Sequence, residues 1–398
     1  MVLIFAVFLY IFHKLYRNVG VTPSLFLISG YLLSSIIGLL YLIYYKENIY
    51  DYSYFSMVYY IISIVIFLMP LIRFSGKSEL FTFPNRTTNI VSYVLIVLGF
   101  ISLFFELKDF NYAELAVNWL AARNEYYSDY GTMNVASSFS ERISSNIMPL
   151  IFITWPLAMY HFSRGKNKKL AILLILASST SLINSLKIAE RQGIITYIAN
   201  ALFSYLIFKD EFTEDVKRKI LIFSTASIGL LVFIVGAITF SRFGEEDEGL
   251  ILSLASYGGV QPFNAAFFLE ELHSQALGGK LNFPFITGTS LITLINDEIN
   301  STEFLNVFGS IVGSFYLDFG YFSVFVIALF SFIFYKLMKI FKSNKSLLFF
   351  YIYALYFEIM FLGIFYYRYN SPPNVRNIIL FGIMIYILEH IFKTKKVN

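Results

Sequence analysis

Long apolar blocks follow one another along most of this chain, separated by short polar connections. A helix needs about 20 apolar residues to cross a hydrocarbon core, and lipid leaves the backbone no other partner than itself. The pattern predicts spans near residues 1–12, 22–45, 54–72, 88–106, 144–163, 169–186, 191–208, 220–240, 309–335, 346–366 and 375–392. The expected fold is an all-α polytopic membrane protein of about eleven transmembrane helices, a single domain over residues 1–398. Two longer polar connections interrupt it, a smaller one at 107–143 and a large acidic one at 241–308. Met1 to Phe12 has no basic residue before it and no small-residue cleavage site after it. It is expected to be an uncleaved first helix rather than a signal peptide.

Composition supports the lipid setting. Charged residues make up 14% of the chain and hydrophobic ones 57%, against about 25% charged in soluble domains. No cysteine is present, which excludes disulfides and thiolate chemistry. The net charge of +4 matters less than where the charges lie. Alternate connections hold Lys14 and Arg17, then Arg73, Lys77 and Arg86, then Arg164 to Lys169, Lys209 to Lys219, Lys336 to Lys345, and the tail from Lys393 to Lys396. The other set is mostly acidic: 241–308 carries nine carboxylates against Arg242 and Lys280. Short basic loops stay cytoplasmic. The N-terminus and the large loop are therefore expected outside and the C-terminus inside.

Cations on the outer side run against that bias, so each needs a reason. Lys187 and Arg191 lie four apart in the turn Asn184 to Gly193, beside Glu190, and share a face if helix continues through them. Arg242 opens the large loop, while Arg123 and Arg142 flank the smaller one and Arg368 and Arg376 the last outer turn. Two readings stand for these residues. They hold a phosphate or diphosphate, for which the arginine fork is suited, or they anchor helix ends by snorkelling. His273, three residues after Glu270, is a candidate proton-handling group, and so is Asp318 near the outer end of an apolar span. His13, His161 and His390 are expected at cytoplasmic ends among lipid headgroups. No H-E-x-x-H, Walker loop or dinucleotide fingerprint occurs, so no metal, cofactor or nucleic acid is expected.

Two segments carry a family resemblance. Tyr257-Gly-Gly-Val-Gln-Pro-Phe263, continuing through Leu277-Gly-Gly279 to Phe285-Ile-Thr-Gly288, is similar to an outer-loop motif of the bacterial polysaccharide repeat-unit polymerases. Those are the Wzy-type O-antigen and capsule polymerases. Phe315-Tyr-Leu-Asp-Phe-Gly320 resembles the aromatic entrance to that family's next helix, and Arg191 in Glu-Arg-Gln-Gly resembles another recurrent feature. The resemblance implies a GT-C-like architecture in the bacterial cytoplasmic membrane, with its active site facing outward. It implies a glycosyltransferase joining polyprenyl-diphosphate-linked oligosaccharides, with lipid diphosphate as leaving group and a flippase and chain-length regulator as partners. Arg191, Arg242, Lys187, Arg142, Tyr257 and Arg376 would bind diphosphate or sugar, and His273, Glu270 or Asp318 would move the proton. The alternatives are an O-antigen ligase and a lipid-linked oligosaccharide flippase or other transporter.

Overall fold

The computed structural model describes residues 2–45, 53–74, 81–108, 143–144, 146–165, 167–187, 192–220, 222, 229, 236, 258–270, 277–288, 309–343, 345–365, 367, 369 and 372–394. Among them the regular structure is entirely helical. In chain order the helices are α1 (Val2–Val19), α2 (Pro23–Tyr45), α3 (Tyr54–Phe74), α4 (Asn85–Lys108), α5 (Thr154–Arg164), α6 (Lys168–Ser178) and α7 (Thr180–Lys187). They continue with α8 (Gln192–Phe208), α9 (Gln261–Glu270), α10 (Ser310–Phe319), α11 (Ser323–Phe341), α12 (Leu347–Leu362) and α13 (Pro372–Thr394). Among the described residues, six stretches are by length and composition apolar enough to cross a membrane: Pro23–Tyr44, Tyr54–Phe74, Asn85–Lys108, Lys168–Lys187, Ser310–Phe341 (α10 and α11 counted together) and Pro372–Phe392. The chain is a multi-helix membrane protein. The expected span at 220–240 lies almost wholly outside the described residues, and α1 runs past the expected residue 12 to Val19.

The chain divides into two compact units. The first holds Met1–Lys77, Ile251–Lys342 and Leu355–Arg376; the second holds Ser78–Leu250, Ser343–Ala354 and Asn377–Asn398.

In the first unit α3 and α11 lie side by side, joined by an aromatic ladder. Phe67 and Phe330 rings are 6.0 Å apart, and Phe74 and Tyr335 rings 5.6 Å. The expected single span over 309–335 is corrected here. Phe315 and Phe330 rings lie 5.8 Å apart, whereas a continuous helix would separate those positions by about 22 Å. The chain therefore reverses between α10 and α11. Gly320 makes the reversal at φ 57° and ψ −145°, a region in which a Cβ is poorly tolerated. Tyr59 holds the turn by donating to the Gly320 carbonyl at 3.3 Å and bonding the Ser323 hydroxyl. At its other end α10 abuts the finish of α12, with Ser310 and Ile311 amides donating to the carbonyls of Phe365 and Gly363 at 2.9 and 2.8 Å.

Helix α9 belongs to the acidic interruption, yet Val260, Phe263, Ala265, Ala266 and Leu269 are buried. Gly258 accepts a bond from Ser34 Oγ at 2.7 Å, so α9 begins beside the middle of α2. Part of the 241–308 segment is thus folded into a helix bundle. Paired glycines make this possible, since small residues let helix backbones touch in lipid.

In the second unit α4 runs antiparallel to the segment ending in α5. Ser102 and Ser144 hydroxyls bond at 2.6 Å near one end, and Tyr160 OH donates to the Phe83 carbonyl at 3.3 Å near the other. α4 runs parallel to α6 and α7, with Thr180 Oγ1 donating to the Gly99 carbonyl at 3.1 Å. Asn377, opening α13, reaches the Asn146 carbonyl at 2.9 Å, and Arg86 lies over the Phe392 ring at 5.7 Å. The ends sort accordingly. Glu106, Ser144, Asn146, Lys187 and Asn377 share one end; Arg86, Arg164 and Lys168 share the other. Glu389 caps α12 at that second end, accepting from Ser346 Oγ at 3.1 Å and from the Leu347 amide. His161 is also corrected. It is buried and bonded to Ser92 at 2.9 Å rather than exposed to headgroups.

Candidate functional site

A buried polar cluster that includes a sequence-predicted residue lies at the Lys187 end of the second unit. Helix α4 ends in Phe104-Phe-Glu-Leu-Lys108, which turns Glu106 inward while Phe104 stays exposed. Glu106 is 5% exposed. Its Oε1 accepts a hydrogen bond from Ser144 Oγ at 2.6 Å. Ser144 has one hydroxyl proton, so the Ser102–Ser144 bond must be donated by Ser102. The order is Ser102 to Ser144 to Glu106, a short chain of hydroxyls aimed at one carboxylate oxygen. The other oxygen, Oε2, makes no hydrogen bond among the described residues and faces Lys187 Nζ at 3.8 Å.

Glu190 and Arg191, the neighbours of Lys187 in the turn, lie outside the described residues; the ion pair that is seen joins Lys187 to a carboxylate on α4. A buried ion pair gains little net stability after desolvation, yet losing one partner is costly because it strands the other charge. Ionisable groups at such places in membrane helices are retained mainly where they work.

Asp318, near the end of α10, is fully buried and organises a turn. Its Oδ1 accepts from the amides of Gly279 and Leu281 at 3.0 and 3.3 Å, and its Oδ2 from the Asn282 amide at 2.8 Å. The Gly278 amide donates to the Asp318 main-chain carbonyl at 3.0 Å, and Asn282 Nδ2 donates to Ser314 O at 2.8 Å. Leu277-Gly-Gly279, read as part of a polymerase-like motif, is therefore the strand of chain that Asp318 clamps to α10. Gly278 and Gly279 take φ of 63° and 92° there, which glycine does without strain. Asp318 positions this turn.

Arg376 is exposed near the start of α13. Glu270 is the last residue of α9. His273, Tyr257, Arg142, Arg191 and Arg242 lie outside the described residues, as do Arg123 and Arg368. Sequence reasoning missed Glu106, Ser102 and Ser144. The available signal was a lone carboxylate within an apolar block, two residues before its basic end. No family model, no curated protein and no solved structure matches the chain.

Proposed function

We propose that this protein is a membrane glycosyltransferase that polymerises polyprenyl-diphosphate-linked oligosaccharide repeat units on the outer face of the bacterial cytoplasmic membrane. The reading takes the eleven-span topology and outward-facing site as expected from the charge pattern. The observation that carries it is the cluster of Glu106, Ser144 and Lys187, which gathers a carboxylate and a cation at the helix ends expected to face outward. Arg86, Arg164 and Lys168 lie at the opposite ends, as the positive-inside bias requires. Transfer from a lipid diphosphate needs a cation at headgroup depth to stabilise the departing charge and a base to accept the hydroxyl proton. It needs neither a nucleotide sugar nor a metal.

A second reading has one specific support. Helix α9 starts beside the middle of α2, and α10 abuts the end of α12. Such interrupted helices also build substrate sites in transporters, so a lipid-linked oligosaccharide flippase is the rival.

Deleting the gene in its own host separates the two. Loss of a polymerase leaves single repeat units displayed at the cell surface and removes the long polymer. Loss of a flippase removes single units and polymer alike, with lipid-linked units retained on the cytoplasmic side. Polymer of normal length in the deletion strain overturns both.

A further inference from the structure

We propose that Glu106 is the proton acceptor of the transfer and that Lys187 exchanges its counter-charge during the reaction, from Glu106 to the departing diphosphate. The inference rests on the polymerase reading and assigns its base to a residue that the sequence pattern did not single out.

Glu106 and Lys187 balance each other's charge in a poorly solvated place. Glu106 is nearly fully buried, and Lys187 is close enough to offset its charge but too far at 3.8 Å for a hydrogen bond. Oε1 is held by the Ser144 hydroxyl, which fixes the carboxylate's orientation. Oε2 has no hydrogen bond among the described residues and is the oxygen left to take a proton. Two other buried carboxylates are committed elsewhere, Asp318 to three amides and Glu389 to the start of α12, while Glu358, also buried, lies on α12 in the first unit rather than in that of the Lys187 pair.

In the transfer, the acceptor sugar's hydroxyl oxygen forms a bond to the donor's anomeric carbon. The bond from that carbon to the diphosphate oxygen breaks, and its electron pair leaves with the diphosphate. The hydroxyl proton passes to Glu106 Oε2. One negative charge is lost on Glu106 as one is gained on the leaving group, so Lys187 remains partnered throughout. The site's net charge does not change, which removes most of the cost of moving charge at low dielectric. Proton loss from Glu106 to water then restores the pair.

The test compares full-length variants in membranes of the deletion strain, reading polymer length and protein abundance together. Glu106→Gln alone removes one charge of the ion pair at 3.8 Å and leaves the Lys187 charge unbalanced by it, so both readouts are expected to fall. The double variant Glu106→Gln with Lys187→Gln removes both charges. It is expected to restore abundance while polymer stays down by about 10²-fold or more, the scale of a lost general base. Glu106→Asp keeps the charge pair but withdraws the carboxylate; it is expected to accumulate like the native protein and lose at least about tenfold in polymer formation. Normal polymer from either the neutral double variant or Glu106→Asp overturns the proposal and leaves a purely structural ion pair. Failure of the native gene to restore polymer instead overturns the polymerase reading itself, and the proposal with it.

Discussion

Replacing Arg191 or Arg242 with alanine is expected to leave cells with single repeat units and no polymer ladder, while the protein still accumulates in the membrane. Both residues sit at predicted span boundaries on the side expected to face outward. A permanent, forked cation there would stabilise the diphosphate more as its charge grows than in the resting substrate. Losing one positioned charge donor costs about 3–4 kcal/mol, or roughly 10²–10³ in rate. Lysine at either position should rescue only in part, because a point charge does not reproduce the fork. The measurement is ladder length against protein abundance. Normal ladders from both alanine variants would reduce these arginines to anchors and shift attention to Arg123, Arg142 and Arg376.

A larger effect on folding is expected at Gly38. A Cβ built there would stand 2.1 Å from the Gly259 carbonyl oxygen and 2.5 Å from the Phe263 ring. The reverse contact is as close, since a Cβ on Gly259 would lie 2.3 Å from the Gly38 nitrogen. Backbone cannot move aside as a flexible side chain can, so α2 and the start of α9 would have to part. Overpacking typically costs 1–3 kcal/mol and sometimes more. Gly38→Ala should fall at about 3 kcal/mol, and Gly38→Leu should abolish the packing. Thermal unfolding in detergent, followed by loss of soluble protein, would show it. Leu40→Ala, on a residue that is 61% exposed, should change little. Equal stability of Gly38→Leu and the native protein would contradict the close approach.

Much of the helix plan could be read from the chain because lipid imposes one rule on every block. The expected 22–45, 54–72, 88–106 and 375–392 match α2, α3, α4 and α13 to within a few residues. The expected 169–186 likewise matches the stretch Lys168–Lys187 that α6 and α7 make together. The break at Gly320 carries a mark, Asp318-Phe-Gly320, but Phe315 and Phe330 on either side are as apolar as a continuous span requires, so periodicity alone runs the helix through it. Polar residues were harder to place. His161 was read by its basic neighbours, but its fate is set by Ser92 on a different helix. Lys187 stands beside Glu190 in sequence, but nothing in the pattern points to Glu106, the carboxylate that faces it from α4. Asp318 was recognised as an unusual acid, but the amides of Gly279, Leu281 and Asn282 that give it work to do are remote in sequence. Periodicity reports which face is buried; it carries no information about which distant group lies opposite.

Sidedness underlies every functional step, because the proposed chemistry uses substrates delivered to the outer face. Reporter fusions active on only one side of the membrane test it most directly. Fusions at Lys168 and Lys342 are expected to read cytoplasmic, and a fusion at Asp247 external. An external signal at Asp247 together with cytoplasmic signals at both lysines is the result predicted; a cytoplasmic signal at Asp247 would place the acidic segment on the wrong side and contradict the account.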